Sequence, residues 1–452
     1  MKKILFKVLA LGLVLTPLSC SRQPVTPETA LQAYLHNSDK SFRWEVQDKQ
    51  KSEDVTLYRI LFTSQIWRDI QWNHELVIMV PDVLKFSDAL LFITGGSIKN
   101  GKPNTHEFTD DLITSISKIA VVNKTIAAII WQVPNQPLYN DLTEDALITY
   151  TLYNYKKDLD LTWPLLFPMT KSAVRAMDVI QEFSKKETSK KVKNFIVSGA
   201  SKRGWTTWLA GASDKRVKAI CPMVIDVLNM PVNINYQKEV WGDYSVEIED
   251  YVKLGIAQQL GSAEGRDLVK MIDPYSYRIK LTMPKMIFMG TNDPYWPVDA
   301  LKNYIDSIPG ENHICYTPNA GHNLGNKVKA LTTLSAFVGI TATNGNYPDC
   351  NYDVTESDGT ITIKVRSEPG QVTDADLWIA DSEDLDFRDE EWSETNPENI
   401  GNEEIVASIS FPESGYLAFY VDLKHKSSSG FEYTQSTRMF VADTSRLMLN
   451  NK

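Results

Sequence analysis

The chain has 452 residues, 47 basic against 57 acidic, for a formal net charge of −10. Hydrophobic residues make up 43% and charged residues 23%, which excludes a disordered chain, a collagen-like repeat and a multi-span membrane protein. The acidic balance argues against nucleic acid as a partner, because phosphate binding needs a basic surface.

That charge is unevenly spread. From residue 346 onward there are 22 acidic and 8 basic residues, a net of −14, which leaves +4 for the rest. Two pieces with different surfaces are expected, divided near Asn344-Gly345-Asn346.

Residues 1–20 read as an export signal: Lys2 and Lys3, an apolar run from Ile4 to Leu15, then Leu18-Ser19-Cys20. The run is shorter than the roughly 20 apolar residues of a spanning helix. Its end resembles a bacterial lipoprotein box with the leucine displaced, so Cys20 is the expected lipidation site, and ordinary cleavage is the other outcome. The expected location is outside the cytoplasmic membrane, in the periplasm or at the cell surface, with membrane contact through the lipid. Residues 21–29 read as a tether.

The next elements change period along the chain. Val55–Thr63 and His74–Val80 suggest a hairpin-like start. Ala89–Ile93, Ile126–Trp131, Phe195–Val197 and Met286–Met289 are near-continuous apolar runs, as parallel strands buried on both faces require. Between them lie helical stretches at Asp111–Val122, Glu144–Tyr155, Met169–Phe183 and Gly204–Ala212. Alternating strand and helix predicts a parallel sheet in an α/β architecture over residues 30–345. Residues 227–284 interrupt that rhythm; they carry Trp241, Tyr244 and Tyr251, with a helix expected from Glu249 to Gln259, and read as an inserted cap or as padding helices. Beyond 346, short strands such as Ile361–Val365, Leu377–Ala380 and Tyr416–Val421 predict a small antiparallel β-sandwich, a surface for a protein partner.

Cys221, Cys315 and Cys350 read as free thiols, not a disulfide framework, and no histidine pair has metal-ligand helical spacing. Neither metal nor cofactor is expected.

The chemistry centres on Phe195-Ile-Val-Ser-Gly199-Ala-Ser201-Lys-Arg-Gly204. A strand running into glycine, a serine two residues later and then a helix is the layout of a nucleophile elbow. The second small residue, Gly204, falls one step late. A serine hydroxyl needs a base, and the base an orienting acid. Asp293 follows the strand ending in Met289-Gly290, and His322 follows the strand beginning at His313, giving the order Ser…Asp…His. Asp226, at the end of the Cys221–Ile225 strand, is a rival acid. His313 falls inside its strand, and Asp273 either caps a turn or lies near the substrate. The oxyanion donors expected are the backbone amides of Lys202, after the serine, and Gly96, in a paired-glycine loop. The side chains of Lys202 and Arg203 either add charge to the site or simply begin the helix. Trp241, Tyr244 and Tyr251 of the cap are expected to contact the substrate.

Gly199-Ala-Ser-Lys-Arg-Gly-Trp-Thr-Thr-Trp208, Trp131-Gln-Val-Pro-Asn-Gln-Pro137, Leu91-Phe-Ile-Thr-Gly-Gly96, Asp273-Pro-Tyr275 and Pro318-Asn-Ala-Gly-His322 resemble the PhoPQ-activated pathogenicity-related protein family over roughly residues 30 to 340. The resemblance implies an exported protein of α/β-hydrolase fold, with Ser201, Asp293 and His322 on its triad positions, and leaves the substrate open. Three readings follow: a serine hydrolase cleaving a small-molecule, peptide or acylated substrate; a peptidase of prolyl-oligopeptidase type; or a non-catalytic signalling or binding protein.

Overall fold

A computed structural model describes residues 24–263, 265–368, 370–401, 404–427 and 430–449. Cys20 and the predicted export signal lie outside these residues. The tether expected over 21–29 ends early, because α1 (Pro27–Leu35) starts at a proline pre-set for the first helical turn and buries Leu31 and Tyr34.

Three long antiparallel strands follow: β1 (Arg43–Ser52), β2 (Val55–Trp67) and β3 (Ile70–Pro81). The sequence pattern showed β2 and β3 but not β1, which is almost wholly exposed and carries no apolar alternation. Its lysines suit a sheet edge, where charge discourages further pairing.

The alternating segment then runs β4 (Asp88–Ile93), a short hairpin of β5 (Ile98–Lys99) and β6 (Lys102–Pro103), α2 (Asp111–Asn123), β7 (Ile126–Ile130), α3 (Glu144–Asp158), α4 (Leu166–Glu187), β8 (Asn194–Ala200), α5 (Lys202–Ser213) and β9 (Val217–Met223). A helical insertion contains α6 (Met230–Trp241), α7 (Glu249–Lys253), α8 (Ile256–Gln259) and α9 (Arg266–Ile272). The helix expected across Glu249–Gln259 breaks between α7 and α8, where Gly255 takes a φ of +66°. β10 (Lys285–Gly290), β11 (Asn312–Thr317) and α10 (Val328–Thr343) complete this part.

Strand order is β1-β2-β3-β7-β4-β8-β9-β10-β11, parallel from β7 onward. This is the α/β-hydrolase fold. Its apolar runs are continuous because both faces are covered. In β4, Leu91 and Ile93 share a core with Phe167, Met177 and Leu209, while Leu90 and Phe92 share one with Ile116, Leu334 and Phe337. Burying each such side chain stabilises by about 1.5–3 kcal/mol.

The C-terminal region contains β12 (Asn351–Ser357), β13 (Thr360–Arg366), β14 (Val372–Ser382), β15 (Ser393–Thr395), β16 (Asn399–Ile400), β17 (Glu404–Ser410), β18 (Tyr416–Lys426), β19 (Glu432–Ser436) and β20 (Phe440–Asp443). β12, β13, β17 and β16 form one antiparallel sheet; it packs Ile361, Ile363 and Ile405 against Leu377, Phe419 and Val421 of β14 and β18. The second sheet does not stand apart. β19 pairs antiparallel with β11 through Ile314 and Ser436, so the central sheet runs on into β18, β14 and β15. Tyr420, Ala418 and Trp392 on its inner face join the main core. Asp422, buried at this seam, meets the ammonium of Lys329 and accepts from Ser436 Oγ at 2.6 Å.

Deleting residues 346–452 would expose the β11 edge and strip the cover from Tyr316. We expect the shortened chain to aggregate or to lose cooperative unfolding, as read by sedimentation and thermal melts. A soluble fragment melting like the full chain would contradict the shared core.

Candidate active site

The short turn between β8 and α5 forces Ser201 to a φ of 58° and ψ of −127°, a region that a non-glycine residue occupies at a cost of about 1–3 kcal/mol. Its amide donates to Met223 O at 2.9 Å, and its side chain makes no capping bond to the helix. The turn closes only because its neighbours are small. A Cβ on Gly199 would lie 2.8 Å from Arg203 O, and one on Gly204 would lie 2.5 Å from Ile225 and 2.9 Å from Met223 O. The glycine one step late is therefore the packing residue of this elbow, and the intervening Arg203 turns away. Its guanidinium pairs with both Glu144 oxygens at 2.6 and 2.7 Å and donates from Nε to Val133 O at 2.5 Å.

His322 lies beyond β11 and Asp293 beyond β10. His322 Nδ1 reaches Asp293 Oδ2 at 2.8 Å and Oδ1 at 3.0 Å, with Nδ1–H as donor. That bond sets the tautomer and leaves Nε2 as the ring's acceptor; Nε2 is buried without a partner among the described residues. The ring packs on Tyr295 at a tilt of 30°, centroids 4.2 Å apart. Asp293 is buried, and its Oδ1 also accepts from Tyr295 N at 2.9 Å. Ser201 and His322 line one cavity beneath the helical insertion.

The acid and histidine loops are stitched together. Asn292 N donates to Ala320 O at 3.0 Å, and Asn319 N to Thr291 Oγ1 at 2.9 Å. A Cβ on Gly290 would sit 2.3 Å from Ala320 O, so only glycine lets the histidine loop cross there. Sequence reasoning missed what grips these loops from outside. Asn292 Nδ2 donates to Glu390 O at 2.8 Å, with Phe387 O and Arg388 O within 3.3 Å. Asn319 and Trp392 exchange two hydrogen bonds, at 2.8 and 2.9 Å. From the cap, Gln237 Nε2 donates to Tyr295 O and Ser245 Oγ to Pro294 O, both at 2.7 Å.

The remaining expected residues divide. Tyr251 lines the cavity. Trp241 and Tyr244 are outside its lining, a correction to their expected role. Trp241 ends α6 beneath the Arg388 guanidinium, 4.1 Å from the ring, and Tyr244 lies beside Lys238 at 5.5 Å. Aromatic content marked the cap without saying which way each ring points. Trp205, Tyr295 and Trp296 supply aromatic lining instead. The amide of Lys202, in the first turn of α5, has no intrahelical partner. Gly96 has a φ of +134° and a Cβ there would meet Gln132 N at 3.0 Å; the loop lies against Arg203 through Gly95 but does not line the cavity. Asp273 is a cap fastener, Oδ1 accepting from Tyr275 N and Oδ2 from Met230 N, both at 2.8 Å. His313 is buried in β11 with Nδ1 at 2.9 Å from Gln435 Nε2.

Asp226, the rival acid, does not touch the histidine. Burial drives its carboxyl up to about 7; Tyr304 opposes this, while the charges of Asp293 and Asp299 reinforce it. Its Oδ1 has no partner among the described residues.

Similarity to known proteins is as follows. The model of the PhoPQ-activated pathogenicity-related protein family matches residues 31–388. Autocrine proliferation repressor protein A of Dictyostelium discoideum is 30% identical over 446 residues, 90% of this chain and 88% of that one. Among solved structures, acetyl xylan esterase 1 from a Thermoanaerobacterium species is similar at a TM-score of 0.45 and 15% identity, over 66% of this chain and 86% of its own. A glucuronoyl esterase from Solibacter usitatus is similar at 0.41 and 12%, over 70% and 92%.

Two substitutions separate the carboxylates. Asp293→Asn should cut turnover of an activated ester by about 10⁴-fold, and Asp226→Asn by less than tenfold; the reverse order would move the acid to Asp226. Asp226 also predicts a pH effect on stability. Its folded pKa stands above the ordinary 3.8, so the folded state holds the extra proton and stability falls as pH rises from 3.8 to about 7. Urea unfolding of Asp226→Asn at pH 5 and 8 should show a smaller loss than wild type. Asp273, shifted to about 7 by burial as well, keeps part of the slope.

Proposed function

This chain belongs to the PhoPQ-activated pathogenicity-related protein family, and from that premise and the geometry above we propose that it is an exported serine hydrolase. The observation that carries the reading is the His322 ring, tied to Asp293 through Nδ1 with Nε2 left without a partner among the described residues, lining the same cavity as Ser201.

In the proposed cycle Ser201 Oγ attacks a carbonyl carbon while His322 Nε2 takes the hydroxyl proton. The tetrahedral oxyanion is held by the amide of Lys202. Collapse breaks the bond to the leaving alcohol or amine, which receives the proton from His322 and departs. Water, deprotonated by the same nitrogen, then releases the acid and restores Ser201. Asp293 keeps the ring in its working tautomer and stabilises the imidazolium. The triad serves ester and amide alike, so the peptidase reading shares this chemistry. Export and lipidation at Cys20 are part of the proposal and rest on the leader pattern of residues 1–20.

The non-catalytic reading draws on the name of the Dictyostelium relative, which describes repression of proliferation. One experiment divides the two. A fluorophosphonate should label the wild type and leave Ser201→Ala unlabelled, and that variant should lose about 10⁶-fold in turnover. Folded wild-type protein that resists the label would refute the hydrolase.

A further inference from the structure

We infer that the cavity beneath the cap is an acyl pocket and that the substrate carries an uncharged, apolar acyl group longer than acetyl. This rests on the serine hydrolase reading and names the substrate class of the same site.

The walls carry the argument. Away from Ser201 and His322 the cavity is lined by Leu152, Met230, Ile234, Ile248, Ile256 and Leu260. Such a wall offers no partner to a hydroxyl or carboxylate, and burying either without one is unfavourable. Every charged group that reaches the cavity is already paired, Trp205 Nε1 donates to Ile272 O at 2.6 Å, and Trp296 Nε1 is left as a neutral donor that cannot balance a carboxylate's charge. Lys202 Nζ meets Asp145 Oδ2 at 2.7 Å, and Asp145 Oδ1 accepts the Tyr251 hydroxyl at 2.9 Å. Burial and then the Asp145 charge push the Tyr251 phenol far above its ordinary range, so it stays neutral. Arg203, the other cation beside the nucleophile, is held in the fork with Glu144. A charged acyl group would have to break the Lys202–Asp145 pair to find a counter-ion. The basic residue after the serine is thereby neutralised as a recognition device for acidic acyl groups. An acetyl methyl could touch only a small part of that apolar wall, so the group that fills it is longer than acetyl.

The test is a series of p-nitrophenyl esters with one leaving group: acetate, butyrate, hexanoate, octanoate, decanoate, and the mono-ester of adipic acid, which puts a carboxylate on a six-carbon acyl chain. Each buried methylene should raise kcat/KM about fourfold, so hexanoate should exceed acetate by well over tenfold, and the adipate ester should fall more than tenfold below hexanoate. Ala257→Trp, on the cavity wall, should drive the hexanoate-to-acetate ratio toward one. Leu260→Ala should move the optimum to a longer chain, and it stands in if the tryptophan variant does not fold. Acetate equal to hexanoate, adipate preferred, or ratios unmoved by folded variants would overturn the acyl pocket, with Ser201 still taking a fluorophosphonate. Absence of both label and turnover would instead sink the serine reading beneath it.

Discussion

The hydrogen bond from His322 Nδ1 to Asp293 is the contact on which the working geometry turns. Both residues sit on loops past the ends of their strands, where no sheet ladder fixes them. A histidine in that position could rotate freely, and a ring turned by half a circle would present the wrong nitrogen. Holding it requires that the acid loop be fixed first. That loop is tied on three sides: to the histidine loop by Asn292 N and Thr291 Oγ1, to the cap by Gln237 and Ser245, and to the C-terminal region by the Asn292 amide. Each bond is worth about 1 kcal/mol net. Together they leave few alternative loop conformations, as the role proposed for the Asp293 carboxylate demands.

This changes the meaning of the acidic C-terminal region. Its charge of −14 marks it in the sequence as a separate piece with a different surface. In the structure one of its sheets continues the central sheet through β11 and β19, and its inner face is buried against the same core. The segment 387–392 then touches the acid loop, the histidine loop and, through Arg388 over Trp241, the cap. The family match extends to residue 388, beyond the sequence boundary near 345 and into this segment. The acidic surface belongs to a part of the molecule that also braces the site.

Much of the fold was legible in the sequence because its cause is local. Runs such as Ala89–Ile93 are continuous wherever two faces are covered, and Gly199-Ala-Ser201 marks a turn that only small residues allow. The Ser…Asp…His order was legible for the same reason, each residue following its own strand. What stayed hidden is set by contacts between distant segments. Asn292 and Glu390 are 98 residues apart, and no local pattern announces their bond. Glu144 and Asp145 open a helix, where acidic residues are ordinary; only the structure shows them neutralising Arg203 and Lys202. Tyr251 and Trp241 looked alike as aromatic residues of a cap, yet the fold turns one into the cavity and the other onto Arg388.

The same pairing of charges gives the site its character: an apolar chamber with a strained serine, a histidine of fixed tautomer and, among the described residues, both neighbouring cations already paired. The reaction proposed for this site requires a covalent bond at Ser201 Oγ. Acid quenching of wild-type protein during turnover of an activated ester, followed by peptide mass spectrometry, tests it most directly. The peptide containing Ser201 should gain the mass of the acyl group, one per chain, with the adduct lost in Ser201→Ala. Turnover with no adduct, or an adduct on another residue that survives in Ser201→Ala, would contradict the account.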